Sequence, residues 1–199
     1  MRILVVGASG TIGRAVVKEL GQRHEIISAG RSSGDLKLDV TDRGSIDAAF
    51  KKAGALDAVV SVIGKVKFAP FADMEAADYA NGLGDKLMGQ VNLVLAGRKH
   101  LAEGGSFMLT TGVLDSDPIV AGSSASMVNG ALNAFVMAAA IEMPRSIRIN
   151  AVSPGVIAEA MKDYGAFFRG FEPVPAARAA LGYAKSAEGA QTGQVYRIV

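Results

Sequence analysis

Short apolar runs alternate along the chain with longer stretches whose apolar residues recur at helical spacing. Runs rich in Val and Ile predict strands, and apolar positions that recur every three or four residues predict helices. Because the two patterns alternate, they predict repeated βαβ units around a parallel sheet. Strands are expected at residues 2–6, 25–29, a brief stretch ending at 39, 56–62, 106–110, 147–152 and 194–199.

Helical periodicity predicts the remaining layers of the fold. The interval 66–85 is ambiguous and is expected to hold one short helix and a bend near Gly82 and Gly84. Residues 158–175 carry Gly, Pro and aromatic residues and are expected to form a mobile lid or substrate loop. The chain should form one doubly wound α/β domain, residues 1–199, with a seven-stranded parallel sheet and helices on both faces. Helices are expected at residues 11–22, 43–53, 86–101, 123–142 and 176–186, with Gly104 and Gly105 suiting a left-handed end of the third.

Composition excludes several classes of function. The 199 residues include no Cys and two His, so a disulfide framework, a Cys-ligated zinc and a histidine metal cluster are all excluded, and no metal site is expected. The 21 basic and 19 acidic residues give a net charge of +2, which provides no field for attracting nucleic acid. The longest apolar tract, residues 134–141, is too short to span a bilayer. We therefore expect a cytoplasmic protein without a nucleic-acid or membrane partner.

A glycine-rich turn follows the first strand. The sequence GASGTIG has glycines at positions 7, 10 and 13 and opens directly into a helix. This order leaves backbone N–H groups and the positive helix end facing a pyrophosphate, although a simple tight turn would show the same glycines. The strand, turn and helix context favours a dinucleotide. The expected contacts are Gly7, Ser9, Gly10, Thr11, Ile12 and Gly13.

The end of the second strand bears on which dinucleotide is bound. A carboxylate there would accept a hydrogen bond from the ribose 2′-OH of NAD. The chain has Arg31 and Ser32 instead. Arg31 can pair with a 2′-phosphate and stack on adenine, with Ser32 and Ser33 as further donors, whereas the alternative is a solvated arginine beside a turn. The sequence favours NADP, bound as NADP⁺ or NADPH.

Several segments resemble the short-chain dehydrogenase/reductase family over nearly the whole chain. The segment AAAIEMPRSIRINAVSPGVI, residues 138–157, looks like that family's helix, sixth strand and Pro-Gly turn beside the nicotinamide. LDV at 38–40 is similar to its adenine-contacting turn, and SVIG at 61–64 stands where a strand ends beside the cofactor ribose. GGSFMLTTG at 104–112 and TGQV at 192–195 match the fifth and seventh strands. The resemblance implies a Rossmann fold and these cofactor contacts: Asp39, Val40, Ser61, Val62, Ile63, Gly64, Pro154, Gly155, Val156 and Ile157.

The chain departs from the family at the catalytic positions. The family uses a tyrosine as acid/base, a lysine four residues later and a serine. Aligning SASMVNGALNAF with that pattern puts Ala125 and Asn129 at the first two positions, and the serine position falls on Gly112 or Thr111. KLMG at 86–89 puts Lys86 at the place of an active-site Asn. Its ammonium is expected to bind the nicotinamide ribose or donate a proton, unless Lys86 is a surface lysine.

The resemblance implies an NADP-dependent oxidoreductase that transfers hydride to or from a small carbonyl or alcohol substrate. Lys86 and Thr111 are the candidates for replacing the proton relay, with Asn129 supporting the ribose or a water. The competing hypothesis is an NADP-binding sensor or regulatory protein without turnover. The helix at 123–142 is apolar on more than one face, which predicts a homodimer or homotetramer.

Three features near the expected site have two interpretations each. Glu159 stands where a cofactor-contacting Thr is common in the family, and its charge would either repel a pyrophosphate or point to solvent. Asp115 and Asp117 either line a substrate mouth or form the turn before Pro118. The aromatic residues of the lid segment cover the nicotinamide or a substrate, or else close the core. They are Tyr164, Phe167, Phe168 and Phe171.

Overall fold

A seven-stranded parallel sheet lies between two layers of helices, and the computed structural model describes all of residues 1–199. The strands are β1 (Arg2–Val6), β2 (Glu25–Gly30), β3 (Leu36–Lys37), β4 (Leu56–Ser61), β5 (Leu101–Thr110), β6 (Arg148–Pro154) and β7 (Val195–Ile198). The helices are α1 (Thr11–Leu20), α2 (Arg43–Ala53), α3 (Ala76–Gly82), α4 (Gly89–Gly97), α5 (Ser123–Glu142), α6 (Met161–Tyr164) and α7 (Ala176–Glu188). The predicted α/β class, strand number and parallel sheet are confirmed.

Both faces of the sheet are covered by apolar packing. On one face Phe50 of α2, Leu93 of α4 and Leu132 of α5 are fully buried in one cluster. On the other face Val16 of α1 and Tyr183 of α7 are fully buried in a second cluster. This two-sided burial explains why the central strands read as continuous apolar runs in the sequence.

The order of the strands determines where a ligand can bind. The sheet runs β3-β2-β1-β4-β5-β6-β7, so the chain reverses its direction of travel between β1 and β4. The connections that follow β1 and β4 therefore diverge to opposite faces and leave a crevice at the carboxyl ends of the strands. The loops after β1, β4, β5 and β6 surround this crevice.

The predicted boundary between the helix at 86–101 and the fifth strand was wrong. Helix α4 ends at Gly97 and β5 already begins at Leu101, which pairs with Leu56 of β4. Gly104 and Gly105 therefore lie inside the strand and do not end a helix, and the register between β4 and β5 shifts there. Sheet hydrogen bonding decided the outcome, because the His100 carbonyl accepts from the Leu56 N–H and continues the ladder.

The ambiguous interval also differs from its prediction. It contains the expected short helix, α3, but no bend follows at Gly82 or Gly84. A six-residue π-helical segment, Leu83–Met88, joins α3 directly to α4. π-Helical turns insert an extra residue into a helix and are frequent at functional sites. This one carries Lys86.

Helix α5 is the one helix whose length and apolar composition would suffice to cross a membrane. In this fold its inner side packs against the sheet, where Val128, Leu132 and Val136 are fully buried. Its outer side exposes Met137 and Ile141. The helix is therefore apolar on two sides, as its sequence indicated.

Candidate active site

A cleft of about 640 Å³ opens at the carboxyl ends of β1, β4, β5 and β6. Its volume is in the usual range for small-molecule sites. Its inner wall combines the start of α1, the end of β4 and the Pro-Gly turn after β6. The predicted site residues among its lining are Gly10, Thr11, Ile12, Val62, Ile63, Gly64, Lys86, Thr111, Asn129, Pro154, Gly155, Val156 and Ile157.

The amino terminus of α1 points its backbone donors at this cleft. The first hydrogen bond of the helix runs from the Arg14 N–H to the Gly10 carbonyl, so the preceding N–H groups have no partner inside the helix. No side chain caps this end, and its first turn has no acidic residue. Gly13 allows the turn to close, because a Cβ there would lie 2.1 Å from the Gly7 carbonyl oxygen. This uncapped end fits an anion such as a pyrophosphate.

Arg31 and Asp39 form an ion pair beyond the carboxyl end of β2. The Arg31 Nε lies 3.0 Å from Asp39 Oδ2, and the guanidinium side chain is 64% exposed. Hydrogen bonds from the backbone and hydroxyl of Thr41, followed by the charge of Arg31, lower the pKa of Asp39. Arg31 is thus held by a carboxylate that stays ionised, while its Nη1 has no protein partner.

A second, smaller cleft lies between α1 and the end of β2. Arg14 and Lys18 of α1 line it on one side, with Ser28 and Ser33 opposite. Ser9 of the glycine turn also lines it, and Arg14 Nη1 donates to the Ser9 carbonyl at 2.5 Å. Basic groups and hydroxyls around a concave surface beside the glycine turn suit an anionic group.

Lys86 reaches into the deep end of the main cleft. Its Nζ donates to Asn129 Oδ1 at 2.8 Å and to the Thr111 carbonyl at 3.3 Å. Removal from water lowers the pKa of this ammonium from its ordinary 10.5 to about 8. No carboxylate pairs with it. Lys86 is therefore not the surface lysine that the sequence left open.

The π-helical segment and its contacts set the position of Lys86. The stem of Lys86 packs over Gly64, where a Cβ would lie 2.3 Å from Lys86 Cγ. Gln90, which is fully buried, donates from Nε2 to the Lys86 carbonyl at 3.2 Å and to the Thr110 carbonyl at 2.9 Å. Gln90 Oε1 accepts from the Thr110 N–H at 2.9 Å. One side chain thus ties the Lys86 turn to the end of β5.

Thr111 contributes its carbonyl to the site. Its N–H donates to the Val152 carbonyl at 2.9 Å, and its hydroxyl lies 3.5 Å from the same oxygen. Beneath it, Thr110 Oγ1 donates to the Ser61 carbonyl at 2.5 Å and contacts the Tyr183 hydroxyl at 2.6 Å. The end of β5 is therefore fixed from both neighbouring strands and from α7.

Several predicted residues do not line the main cleft. Ser9 faces the smaller cleft, and Gly13 and Ser61 are buried under the site. Val40 is buried, with its side chain against Gly89 of α4. The structure therefore separates the predicted contacts into two groups: those that line the main cleft with Lys86, and those that lie beneath it or beside β2. The full set outside the main cleft is Gly7, Ser9, Gly13, Arg31, Ser32, Asp39, Val40 and Ser61.

The acidic residues near the site are directed elsewhere. Both carboxylate oxygens of Glu159 accept from the Ala176 N–H, at 3.2 and 3.0 Å, so its charge faces the amino terminus of α7. Asp115 forms a two-point ion pair with Arg197, at 3.1 and 2.9 Å. Neither Asp115 nor Asp117 lines the cleft. The turn interpretation of these aspartates is therefore the better one.

Sequence reasoning missed Arg14, Lys18 and Gln90. Arg14 directly follows the last glycine of the turn, and Lys18 lies four residues further along the same helix face, a spacing that is visible in the sequence. Gln90 stands in an otherwise apolar helix face, and a buried amide requires partners. Its partners come from β5, which no local pattern indicates.

Comparison with protein families gives one extended match. A sequence model described as enoyl-(acyl carrier protein) reductase matches residues 7–194. An oxidoreductase of Methylorubrum extorquens is 30% identical over 178 residues, which cover 77% of this chain and 72% of that protein. Versicolorin reductase of Emericella nidulans is 31% identical over 181 residues, covering 77% of this chain and 68% of the relative.

Solved structures share the whole fold. A protein from Listeria innocua is 49% identical, with a TM-score of 0.98 and complete coverage of both chains. A small-chain dehydrogenase crystallised with NADPH is 25% identical, with a TM-score of 0.88 over 100% of this chain and 96% of that one. The similarity therefore extends from the sheet to the loops around the cleft.

The lowered pKa of Lys86 can be measured directly by titration. In protein labelled with ¹³C at lysine Cε, we expect the resonance that disappears in Lys86→Met to titrate with a midpoint near pH 8, whereas exposed lysines titrate near pH 10.4. Because the pKa is lower in the folded state than in the unfolded state, the wild type binds fewer protons when folded between these values. Its stability relative to Lys86→Met should rise with pH across that window. A Lys86 resonance that titrates with the exposed lysines would contradict the assignment.

Proposed function

The chain belongs to the short-chain dehydrogenase/reductase family, and from this premise we propose that it is an NADP(H)-dependent oxidoreductase acting on a small carbonyl or alcohol substrate. One observation carries the proposal. A single cleft joins the uncapped amino terminus of α1 to the half-buried Lys86 ammonium. The amino terminus of α1 can bind the phosphates of an elongated cofactor, and Lys86 can exchange a proton with a substrate bound beside that cofactor.

The chain has suitable residues for both ends of NADPH. The α1 amino terminus, at Gly10 and Thr11, would hold the pyrophosphate. Arg31 would bind the 2′-phosphate through its free Nη1, and Arg14 in the adjoining cleft would add a second positive charge. Val62 and the Pro154-Gly155 turn would flank the nicotinamide riboside. Bound NADPH supplies the hydride.

Lys86 provides the proton in this proposal. Two of its three N–H groups are committed to Asn129 and to the Thr111 carbonyl, which leaves the third for a substrate oxygen in the cleft. After donating that proton, the neutral amine keeps both hydrogen bonds and therefore its position. A pKa of about 8 suits a general acid near neutral pH. In the reverse reaction the neutral amine accepts the alcohol proton.

Reduction is the direction favoured by the names of relatives. The relatives include the versicolorin reductase of Emericella nidulans and a trihydroxynaphthalene reductase of Colletotrichum orbiculare that is 31% identical. These names support carbonyl reduction as the reaction class. The substrate of this chain has to be argued from its own cleft.

A second candidate function is NADP(H) sensing without turnover. Ala125 and Asn129 line the cleft on α5, at the two positions where the sequence resemblance places the family's tyrosine and lysine. Neither side chain exchanges a proton near neutral pH. The Asn129 amide and the Thr111 carbonyl, which are hydrogen-bonded to Lys86, cannot donate a proton in its place. If Lys86 does not act as an acid, the protein would bind NADPH without turnover.

Lys86→Met tests the proton-donor role. We expect NADPH binding to persist and ketone reduction to fall by about 10²–10⁴-fold, the usual contribution of a general acid.

In the wild type, the rate of ketone reduction should decline and the rate of alcohol oxidation should increase as the pH rises through about 8. Lys52→Met, at an exposed position of α2, is the matched control. Unchanged turnover in Lys86→Met would show that Lys86 is not the proton donor. If turnover is lost only in Tyr164→Phe, the Tyr164 hydroxyl is the proton donor instead.

Arg31→Asp tests the cofactor preference. Loss of a charged hydrogen bond to the 2′-phosphate should weaken NADPH binding by about 10–100-fold, with NADH binding nearly unchanged. Arg43→Asp, an exposed arginine of α2 with its own ion-pair partner, controls for net charge. Calorimetry with both cofactors makes the comparison. Equal weakening of NADPH and NADH would argue against the phosphate contact.

We also propose that the protein is a homodimer or homotetramer. Met137 and Ile141 of α5 and Leu95 of α4 are exposed on the face of the sheet that these helices cover. Light scattering should give the mass of two or four chains, and Met137→Lys combined with Ile141→Lys should lower it to one chain. Leu181→Lys on α7, which lies on the opposite face, should leave the mass unchanged. A wild-type mass of one chain would contradict the proposal.

A further inference from the structure

The outer part of the main cleft has a different character from the part around Lys86. Three loops form it, after β4, β5 and β6 respectively, and each contributes apolar side chains. We call this part the outer cleft. Its lining residues are Val66, Phe68, Val113, Leu114, Tyr164 and Phe168.

Phe68 holds the aromatic residues of the outer cleft together. Its ring centroid lies 5.5 Å from that of Tyr164, with the planes at 64°, and 6.4 Å from that of Phe168. Phe167 adds a third contact at 5.6 Å. These distances and tilts are those at which aromatic rings attract one another. The loop after β4 is thereby joined to the loop after β6, residues 158–175, by ring contacts that leave Phe68, Tyr164 and Phe168 on the cleft surface.

The six residues that line the outer cleft carry no charge, and the one cation beside them, Lys65, lies in the exposed rim. Asp115 and Glu159, the nearby carboxylates, are bonded to Arg197 and to the start of α7. The Lys86 ammonium is the charged group at the deep end of the cleft, and in the proposed function it faces the carbonyl oxygen of the substrate. A charge placed against the apolar loops would lose its hydration without compensation.

We propose that the substrate is an uncharged aryl ketone, or the corresponding benzylic alcohol, whose carbonyl oxygen meets Lys86 and whose ring lies among Phe68, Tyr164 and Phe168. This inference rests on the proposed oxidoreductase function and names its substrate class. The ring would make edge and tilted contacts like those already present between the cleft aromatics. Ala125, a small side chain in the cleft wall beside Asn129, leaves space for the ring next to the carbonyl.

Ligand binding to the NADP⁺ complex tests this class without requiring turnover, because a ketone and the oxidised cofactor cannot react. The probes are acetophenone, 4-acetylbenzoate and cyclohexyl methyl ketone, measured by calorimetry. We expect 4-acetylbenzoate to bind at least about tenfold more weakly than acetophenone, because its far-end charge would be buried unpaired. Cyclohexyl methyl ketone should bind about threefold more weakly, because it lacks the aromatic ring. Equal or tighter binding of the carboxylate, or of the saturated ketone, would overturn the proposal.

Phe68→Ala supplies the test on the protein side. It should weaken acetophenone binding by about five- to tenfold while leaving NADP⁺ binding unchanged. The matched control is Phe71→Ala, in the same loop, because Phe71 is 77% exposed and does not line the cleft. An equal loss in both variants, or no loss in Phe68→Ala, would reject the aromatic site.

The outcomes separate this inference from the function on which it rests. Acetophenone that binds as expected but is never reduced by NADPH would reject the oxidoreductase function and leave the ligand class intact. Reduction of aliphatic or anionic carbonyls, without acetophenone binding, would support the oxidoreductase function and reject the aryl ketone.

Discussion

An ammonium group without a carboxylate partner organises the deep end of the cleft. Lys86 is half-buried at the cleft wall, and its ammonium is bonded to two oxygen acceptors, Asn129 Oδ1 and the Thr111 carbonyl. Burying a charge with neutral acceptors alone is unfavourable, which is why its pKa falls to about 8. That unfavourable burial is what gives the group its chemistry, because an exposed or carboxylate-paired lysine would hold its proton far above neutral pH.

The surrounding fold fixes this group from three directions. The π-helical segment between α3 and α4 turns Lys86 toward the cleft, and Gly64 at the end of β4 leaves room for its stem. Gln90 ties the same turn to β5, which also presents the Thr111 carbonyl. These contacts come from the ends of β4 and β5, so the position of Lys86 depends on the parallel pairing of these two strands. The strand order that opens the crevice therefore also brings Lys86 and its acceptors together.

Local patterns were sufficient for the sheet and the glycine turn, because both depend on short-range rules. Alternating apolar runs located all seven strands, and GASGTIG marked the start of α1. The errors arose where distant pairing decides the structure. The first residues of β5 looked like the end of a helix until pairing of Leu101 with Leu56 placed them in the sheet. Residue composition does not distinguish a π-helical segment from an α-helix. The partners of Gln90 and Glu159 lie on other elements, which no local pattern indicates. Lys86 was identified through family resemblance, but its acceptors became visible only in three dimensions.

In the proposed mechanism, the third N–H of Lys86 faces a substrate oxygen in the cleft. A crystal structure of the ternary complex with NADP⁺ and a ketone measures this directly. We expect a distance of about 2.7–3.2 Å from Lys86 Nζ to the carbonyl oxygen, with the bonds to Asn129 and Thr111 preserved. A carbonyl oxygen bound by another donor, with Lys86 turned away from it, would show that Lys86 is not the proton donor.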